Sequence, residues 1–155
     1  MSQAGGWAGI RIGKTLYARA VLIDTGAFLA LMNVQNRNHE DAVQCSYEIA
    51  KYRLPVFVPL PVIYEAYKRL LFDMGWAEAR RFLKSILSGQ YNVVRTIEED
   101  EKTADVLIER YKALNLTLTD ATSMALMTRL GIAKSFSFDQ HFLQAGFIRV
   151  PPFYL

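Results

Sequence analysis

The sequence predicts an α/β fold of three layers, with helices on both faces of a central, mostly parallel sheet of four or five strands. Two observations carry this expectation. From about residue 20 onward, short apolar runs rich in β-formers alternate with longer segments of helical periodicity, and strands separated by helices pair in parallel through right-handed crossovers. The 155 residues also form the length of one ordinary domain, with no internal repeat, low-complexity tract or linker to divide them.

Taken in order, residues 20–23 read as a short buried strand and a helix follows from about Gly26. A second helix is expected over 39–53, carrying Ala42, Val43, Tyr47, Ile49 and Ala50. Residues 56–58 form the next strand, bounded by Pro55 and Pro59. Pro61 then suits the first turn of a helix, where its missing N–H costs nothing. That helix places Ile63, Tyr67, Leu70 and Met74 on one stripe and stops near Gly75. An amphipathic helix over 76–87 ends before Gly89, and 91–94 is a third strand. The segment 98–114 reads as a long helix whose early acids answer the helix dipole. Residues 119–130 are helical up to Gly131, 134–138 form a fourth strand, 140–145 a short helix and 147–150 a fifth strand. Residues 1–18, polar and glycine-rich, read as a poorly structured or variable arm before a domain over 19–155.

Composition narrows the class. The apolar fraction of 52% and charged fraction of 21% are those of a globular chain. No apolar run approaches the ~20 residues that cross a bilayer, and residues 20–23 are too short for a secretory leader. Membrane insertion is therefore not expected. A lone cysteine, Cys45, rules out an internal disulfide and fits a reducing cytoplasm. The net charge of +3 is compatible with a polyanionic partner without selecting one.

The chemistry lies in where the acids fall. Functional crevices of such sheets open at the carboxyl ends of the strands. Asp24 closes the first strand, Glu65 lies one turn into the helix after the second, Asp120 begins a helix and Asp139 follows the fourth strand. Gathered on one edge, these carboxylates would repel one another unless a cation lay between them. Oxygen ligands suit Mg²⁺ or Mn²⁺ and not zinc, and one or two such ions can activate water for phosphoryl displacement. Singly, Asp120 and Asp139 would also serve as helix-capping acids, and Glu65 as a partner for Lys68 or Arg69. It is their joint placement that favours chemistry.

Four segments carry a family resemblance: Val21-Leu-Ile-Asp24-Thr-Gly, Val62-Ile-Tyr-Glu65, Leu118-Thr-Asp120-Ala and Ser137-Phe-Asp139-Gln-His-Phe. In this order and spacing they resemble the signature segments of PIN domains over about residues 20–150, most closely those of VapC-type toxins. The resemblance implies a Mg²⁺- or Mn²⁺-dependent endoribonuclease, often a homodimer, silenced by a small antitoxin protein. It assigns Asp24, Glu65, Asp120 and Asp139 to catalysis and metal binding. Thr25, Ser123 and Ser137 would be hydroxyl groups beside them. Leu60 departs from the pattern, standing where relatives often carry a capping Ser or Thr, and the arm has no counterpart. Two other readings stay open: an RNA-processing nuclease without an antitoxin, and an inactive scaffold that binds RNA or protein.

Other signals point elsewhere and fail on context. Residues 8–15 satisfy a permissive phosphate-binding-loop pattern, but lack the preceding strand and following helix that its mechanism needs. Asp24-Thr-Gly26 matches an aspartic-protease loop without the second loop or β-rich fold. Arg80, Arg81 and Lys84 could touch RNA phosphates, or simply form a solvated face. His39 and His141 are expected in solvated or capping roles.

Overall fold

Along the first strand, β1 (Val21–Ile23), successive side chains enter two separate cores, and that alternation defines the layers. Val21 and Ile23 join one cluster with Phe28, Val58, Leu70, Phe82 and Phe136, whereas Ala20 and Leu22 join another with Phe57, Leu107, Met124 and Phe142. The structure, a computed structural model, describes residues 17–152. All but the end of the expected arm, and the phosphate-loop-like stretch, therefore lie outside the described residues. Tyr17, at the end of the arm, packs edge-on against Phe57 with ring centroids 5.3 Å apart.

Four more strands follow: β2 (Val56–Pro59), β3 (Asn92–Val94), β4 (Lys134–Phe136) and β5 (Ile148–Val150). They pair in parallel throughout, in the order β3-β2-β1-β4-β5. One face is covered by α1 (Thr25–Met32), α2 (His39–Lys51), α3 (Leu60–Met74) and α4 (Trp76–Ser85), which supply Phe28, Ala42, Val62 and Phe82 to its core. The other is covered by α5 (Glu98–Arg110), α6 (Leu118–Leu130) and α7 (His141–Gln144), which supply Ala104, Met124 and Phe142. The expected three-layer architecture holds, with five strands. No helix among the described residues is long and apolar enough to cross a membrane.

Element ends depart from expectation where local chemistry intervenes. The fourth strand stops at Phe136 instead of running to residue 138, because the Ser137 hydroxyl accepts the N–H of Asp139 at 3.0 Å and turns the chain. The helix expected over 98–114 ends at Arg110 and closes as a 3₁₀ turn, Lys112–Leu114, with Asn115 left-handed at φ 51°. The helix expected to reach residue 87 ends at Ser85 and widens into a π turn, Ile86–Gln90, in which Gly89 takes φ 86°.

Helix α6 has no solvent stripe in its middle: Asp120 through Met127 are all buried. It lies between the sheet and α5 and also meets α3. Its far end is pinned electrostatically. Arg129 donates two hydrogen bonds, of 2.7 and 3.0 Å, to the carboxylate of Asp100 at the start of α5, which is 1% exposed and also accepts the Ile97 N–H at 2.9 Å. Burial alone would push the Asp100 carboxyl up, but these donors and the guanidinium charge outweigh it and hold it below 3.8, the ordinary value.

Arg129→Met leaves that carboxylate buried without its partner and is expected to cost about 2 kcal/mol at pH 7, less than for a fully buried pair because the arginine is partly solvated. Because the folded-state value is depressed, the pair's contribution is present above about pH 4 and fades as the pH falls through the folded value. Urea denaturation of both proteins at pH 7 and pH 3 checks this; a gap that did not narrow at pH 3 would contradict it.

Candidate active site

Strand β1 pairs with β2 on one side and β4 on the other, so the chain reverses its winding between β1 and β4. The crevice outside their carboxyl ends is where open parallel sheets build sites. Asp24 emerges there from β1, and its N–H donates to the carbonyl of Phe136 at 3.0 Å, carrying the β1–β4 ladder one residue past the strand. Its own carbonyl accepts from Ala27 and Phe28 at the start of α1, so both the strand and the helix hold its backbone.

From β4 come Ser137 and Asp139. The Ser137 hydroxyl donates to Oδ2 of Asp24 at 3.2 Å while accepting the Asp139 N–H at 3.0 Å, tying the first and last acids through one oxygen. Asp120 arrives from the opposite layer. Thr117 caps α6 by accepting the Asp120 N–H at 3.1 Å, which leaves the Asp120 carboxylate free of that duty. Asp139 does behave partly as a capping acid, because its Oδ1 accepts the His141 N–H at 2.8 Å.

The expected solvated or capping role of His141 is corrected here. Its Nδ1 lies 3.3 Å from Asp139 Oδ1 and 3.5 Å from Asp120 Oδ2, and one ligand atom each from Asp120, Asp139 and His141 falls within 4.8 Å of the others. The signal was its position two residues after Asp139, at the start of a helix on the same sheet edge. Glu65 is half-buried on α3 and stands outside that cluster. Among the described residues Glu65 forms no ion pair with Lys68 or Arg69; Arg69 pairs instead with Asp73 at 3.8 Å.

Two further hydroxyls sit beside the acids. Thr25 follows Asp24, and Ser123 lies one turn after Asp120; both are buried, and neither side-chain oxygen has a hydrogen-bond partner among the described residues. Orphaned buried hydroxyls are costly and mark places that a ligand or bound water completes.

The carboxylates are electrostatically strained. Burial, then the charge of Asp120 and finally that of Asp139 push the Asp24 carboxyl up to about 7, against the Thr25 N–H and the Ser137 hydroxyl. Burial and Asp139 likewise raise Asp120, against His141 and Thr117. Such a group relaxes when a hard cation shares it, and these oxygen-rich donors fit Mg²⁺ or Mn²⁺. The basic residues of α4 present a largely solvated face: Arg81 and Lys84 are exposed, Arg80 is half-buried, and Arg81 pairs with Glu78 at 3.3 Å.

Comparison with known proteins bears on this geometry. The sequence profile of the PIN domain matches residues 21–148. Among solved structures, the sarcin-ricin-loop-cleaving toxin VapC20 of Mycobacterium tuberculosis aligns with a TM-score of 0.76 and 26% identity, covering 84% of this chain and 98% of that one. A chain of a toxin–antitoxin complex from Klebsiella pneumoniae aligns at 0.62 and 17% identity over 88% of this chain and all of its own length. PAE2754 from Pyrobaculum aerophilum aligns at 0.58 and 27% identity, covering 87% and 86% of the two chains. No curated protein matches the sequence significantly.

The strain has a measurable sign. Because the folded-state value of Asp24 lies above the unfolded one, the metal-free fold is favoured at acid pH and loses that advantage as the pH rises through about 7. In EDTA at pH 8.5, Asp24→Asn is expected to melt roughly 5 °C above the native chain, with the gap closing by pH 4. Millimolar Mn²⁺ should raise the melting temperature of the native chain far more than that of the variant. Identical melting of the two proteins at pH 8.5 would show that Asp24 carries no such strain.

Proposed function

The chain belongs to the PIN-domain family, and on that footing we propose that it is a divalent-metal-dependent endoribonuclease, the toxin of a VapBC-type toxin–antitoxin pair. The observation that carries the proposal is the convergence of Asp24, Asp120 and Asp139, from two layers and three segments, at the switch point of the sheet. Two of those acids, Asp24 and Asp120, are held above the ordinary carboxylate range by burial and by neighbouring acids of the group. A carboxylate cluster of this kind has no structural use that an apolar residue would not serve better. It suits a reaction at a phosphodiester.

In this reading Asp24, Asp120 and Asp139 would hold the cation, with Glu65 of α3 as the fourth acid of the set. When bound, Mg²⁺ or Mn²⁺ supplies Lewis-acid activation of water and offsets charge on the phosphoryl oxygens. The remaining work is done by the chain. Ser137 fixes the rotamers of Asp24 and Asp139 through its two hydrogen bonds. His141 presents Nδ1 to both Asp139 and Asp120, between the two carboxylates. Thr25 and Ser123 offer unspent hydroxyls to the attacking water or to a phosphate oxygen. Arg80, Arg81 and Lys84 are assigned a weaker, sequence-independent contact with RNA phosphates.

The partners follow from the same reading: RNA as substrate, a small antitoxin protein as inhibitor, and a second copy of the chain as a homodimer, all in the cytoplasm. The similarity to VapC20 supports the toxin assignment over a processing nuclease, since the likeness extends over nearly the whole of that toxin.

The test compares purified chain with Asp24→Asn on a panel of structured RNAs, with Mg²⁺, with Mn²⁺ and with EDTA. Cleavage is expected only with metal, and the substitution should lower its rate at least ~10³-fold, the scale of losing an essential electrostatic group. Metal-independent cleavage, or cleavage that survives in the variant, would sink the proposal. So would an intact, inhibitor-free protein that cleaves no RNA of the panel, which would leave a binding scaffold.

A further inference from the structure

Beside the carboxylate centre lies a second concavity, of about 540 Å³, within the range of ~300–1,000 Å³ that small-molecule sites occupy. Phe138 and Gln140, the residues on either side of Asp139, form one wall, and Arg149 of β5 forms another. Arg37 and Asn38, just before α2, face them.

Three features of this pocket call for a ligand. The first is an unsatisfied donor. Arg149 Nε is buried without a hydrogen-bond partner, and its Nη1 makes only a 3.5 Å contact with the Phe138 carbonyl, at the outer limit of such bonds. The second is uncompensated charge: among the described residues neither Arg149 nor Arg37 forms an ion pair, although Asp41 lines the same pocket. The third is chemistry of mixed type. The half-buried Phe138 ring, steadied edge-on by Phe136 at 6.3 Å, offers a stacking face beside Pro151. The side-chain amides of Asn38 and Gln140 are unpaired among the described residues.

Guanidinium for a phosphate, an aromatic ring for a base and amides for a base edge are the parts from which single-stranded RNA is recognised. We propose that this pocket is a nucleotide subsite, holding one unpaired RNA nucleotide next to the one whose phosphate reaches the carboxylate centre. Arg149 and Arg37 hold its phosphate, Phe138 stacks its base, and Asn38 and Gln140 select it. The proposal rests on the nuclease reading above and adds what that reading lacks, a source of sequence preference on this chain. Because the loop carrying Asp139 forms the wall, a nucleotide seated here fixes the strand relative to that acid.

The test measures binding of fluorescein-labelled hexaribonucleotides (oligo-A, oligo-C and oligo-U) by anisotropy at several NaCl concentrations, using full-length protein with Asp24→Asn so that no substrate is cut. Adding Arg149→Gln or, at an exposed position that tolerates change, Arg37→Gln should weaken binding at least tenfold. Each should also flatten the salt dependence of log K by about 0.7, one single-strand phosphate contact. Gln140→Ala should narrow the difference between the three oligonucleotides while leaving the Mn²⁺-induced rise in melting temperature unchanged. Lys102→Gln, an exposed base outside the pocket and outside the basic face of α4, should have little effect. If native protein cuts RNA and these pocket variants bind like their parent, the subsite is overturned and the nuclease reading stands. If the parent binds no RNA and the native chain cuts none, both fall. Pocket variants that lose a protein partner yet keep RNA binding would reassign the pocket to that partner and overturn the subsite.

Discussion

Everything at the functional edge depends on the parallel pairing of β1 with β4. These strands lie more than a hundred residues apart in the chain, yet their register sets Ile23 beside Phe136. One further backbone hydrogen bond, from Asp24 to Phe136, brings the first acid level with the segment that bears the last. A slip of one residue would send Asp24 to the other face and expose Val21 and Ile23 to the wrong core. The two cores that grip alternate residues of β1 are therefore what holds the acids in place, although none of their apolar members takes part in chemistry.

The centre costs stability, and the fold recovers it nearby. Asp24 and Asp120 are buried carboxylates crowded by another acid, a poor arrangement for a protein without a cation. Helix α6 carries Asp120 on its first turn and Arg129 on its last. Along its length the buried run of Ala121, Met124, Ala125, Leu126 and Met127 anchors it between the sheet and α5, and Asp100 accepts the guanidinium at its end. The opposing charges at the two ends thus have opposite meanings. One pair is satisfied and structural; the other group is left electrostatically frustrated, the condition in which functional sites are commonly found.

Much of this was legible in the sequence, for identifiable reasons. The architecture could be read because short apolar runs such as Val21–Ile23 and Val56–Pro59 alternate with helical segments, a pattern with few alternative folds. Asp24 stood out because an acid closing an apolar strand has no core role, and parallel topology then put Asp120 and Asp139 on its edge. What could not be read depends on geometry finer than a topology. His141 looked like a surface residue because only the turn at Ser137 aims the start of α7 back at Asp120. The end of β4 escapes the pattern for the same reason, since a serine hydroxyl turns the chain where the alternation over 134–138 would continue the strand. Glu65 lay on the expected edge, but a helix position does not say how near its side chain comes to the other acids. The pocket around Arg149 gives no signal of its own: it is assembled from three segments, of which only the one around Asp139 stands out locally, and for its acid.

The double use of the Ser137 hydroxyl leaves this centre without redundancy. A hydroxyl has one proton to give; here it goes to Asp24, while a lone pair receives the Asp139 N–H. Threonine can reproduce both bonds, but alanine loses both, and cysteine replaces them with weak ones. Two acids contributed by distant parts of the chain would then lose their common reference point in a single step. The alphabet tolerated at this position is accordingly about two letters wide, narrower than at any of the apolar core positions, where several side chains of similar volume can substitute for one another.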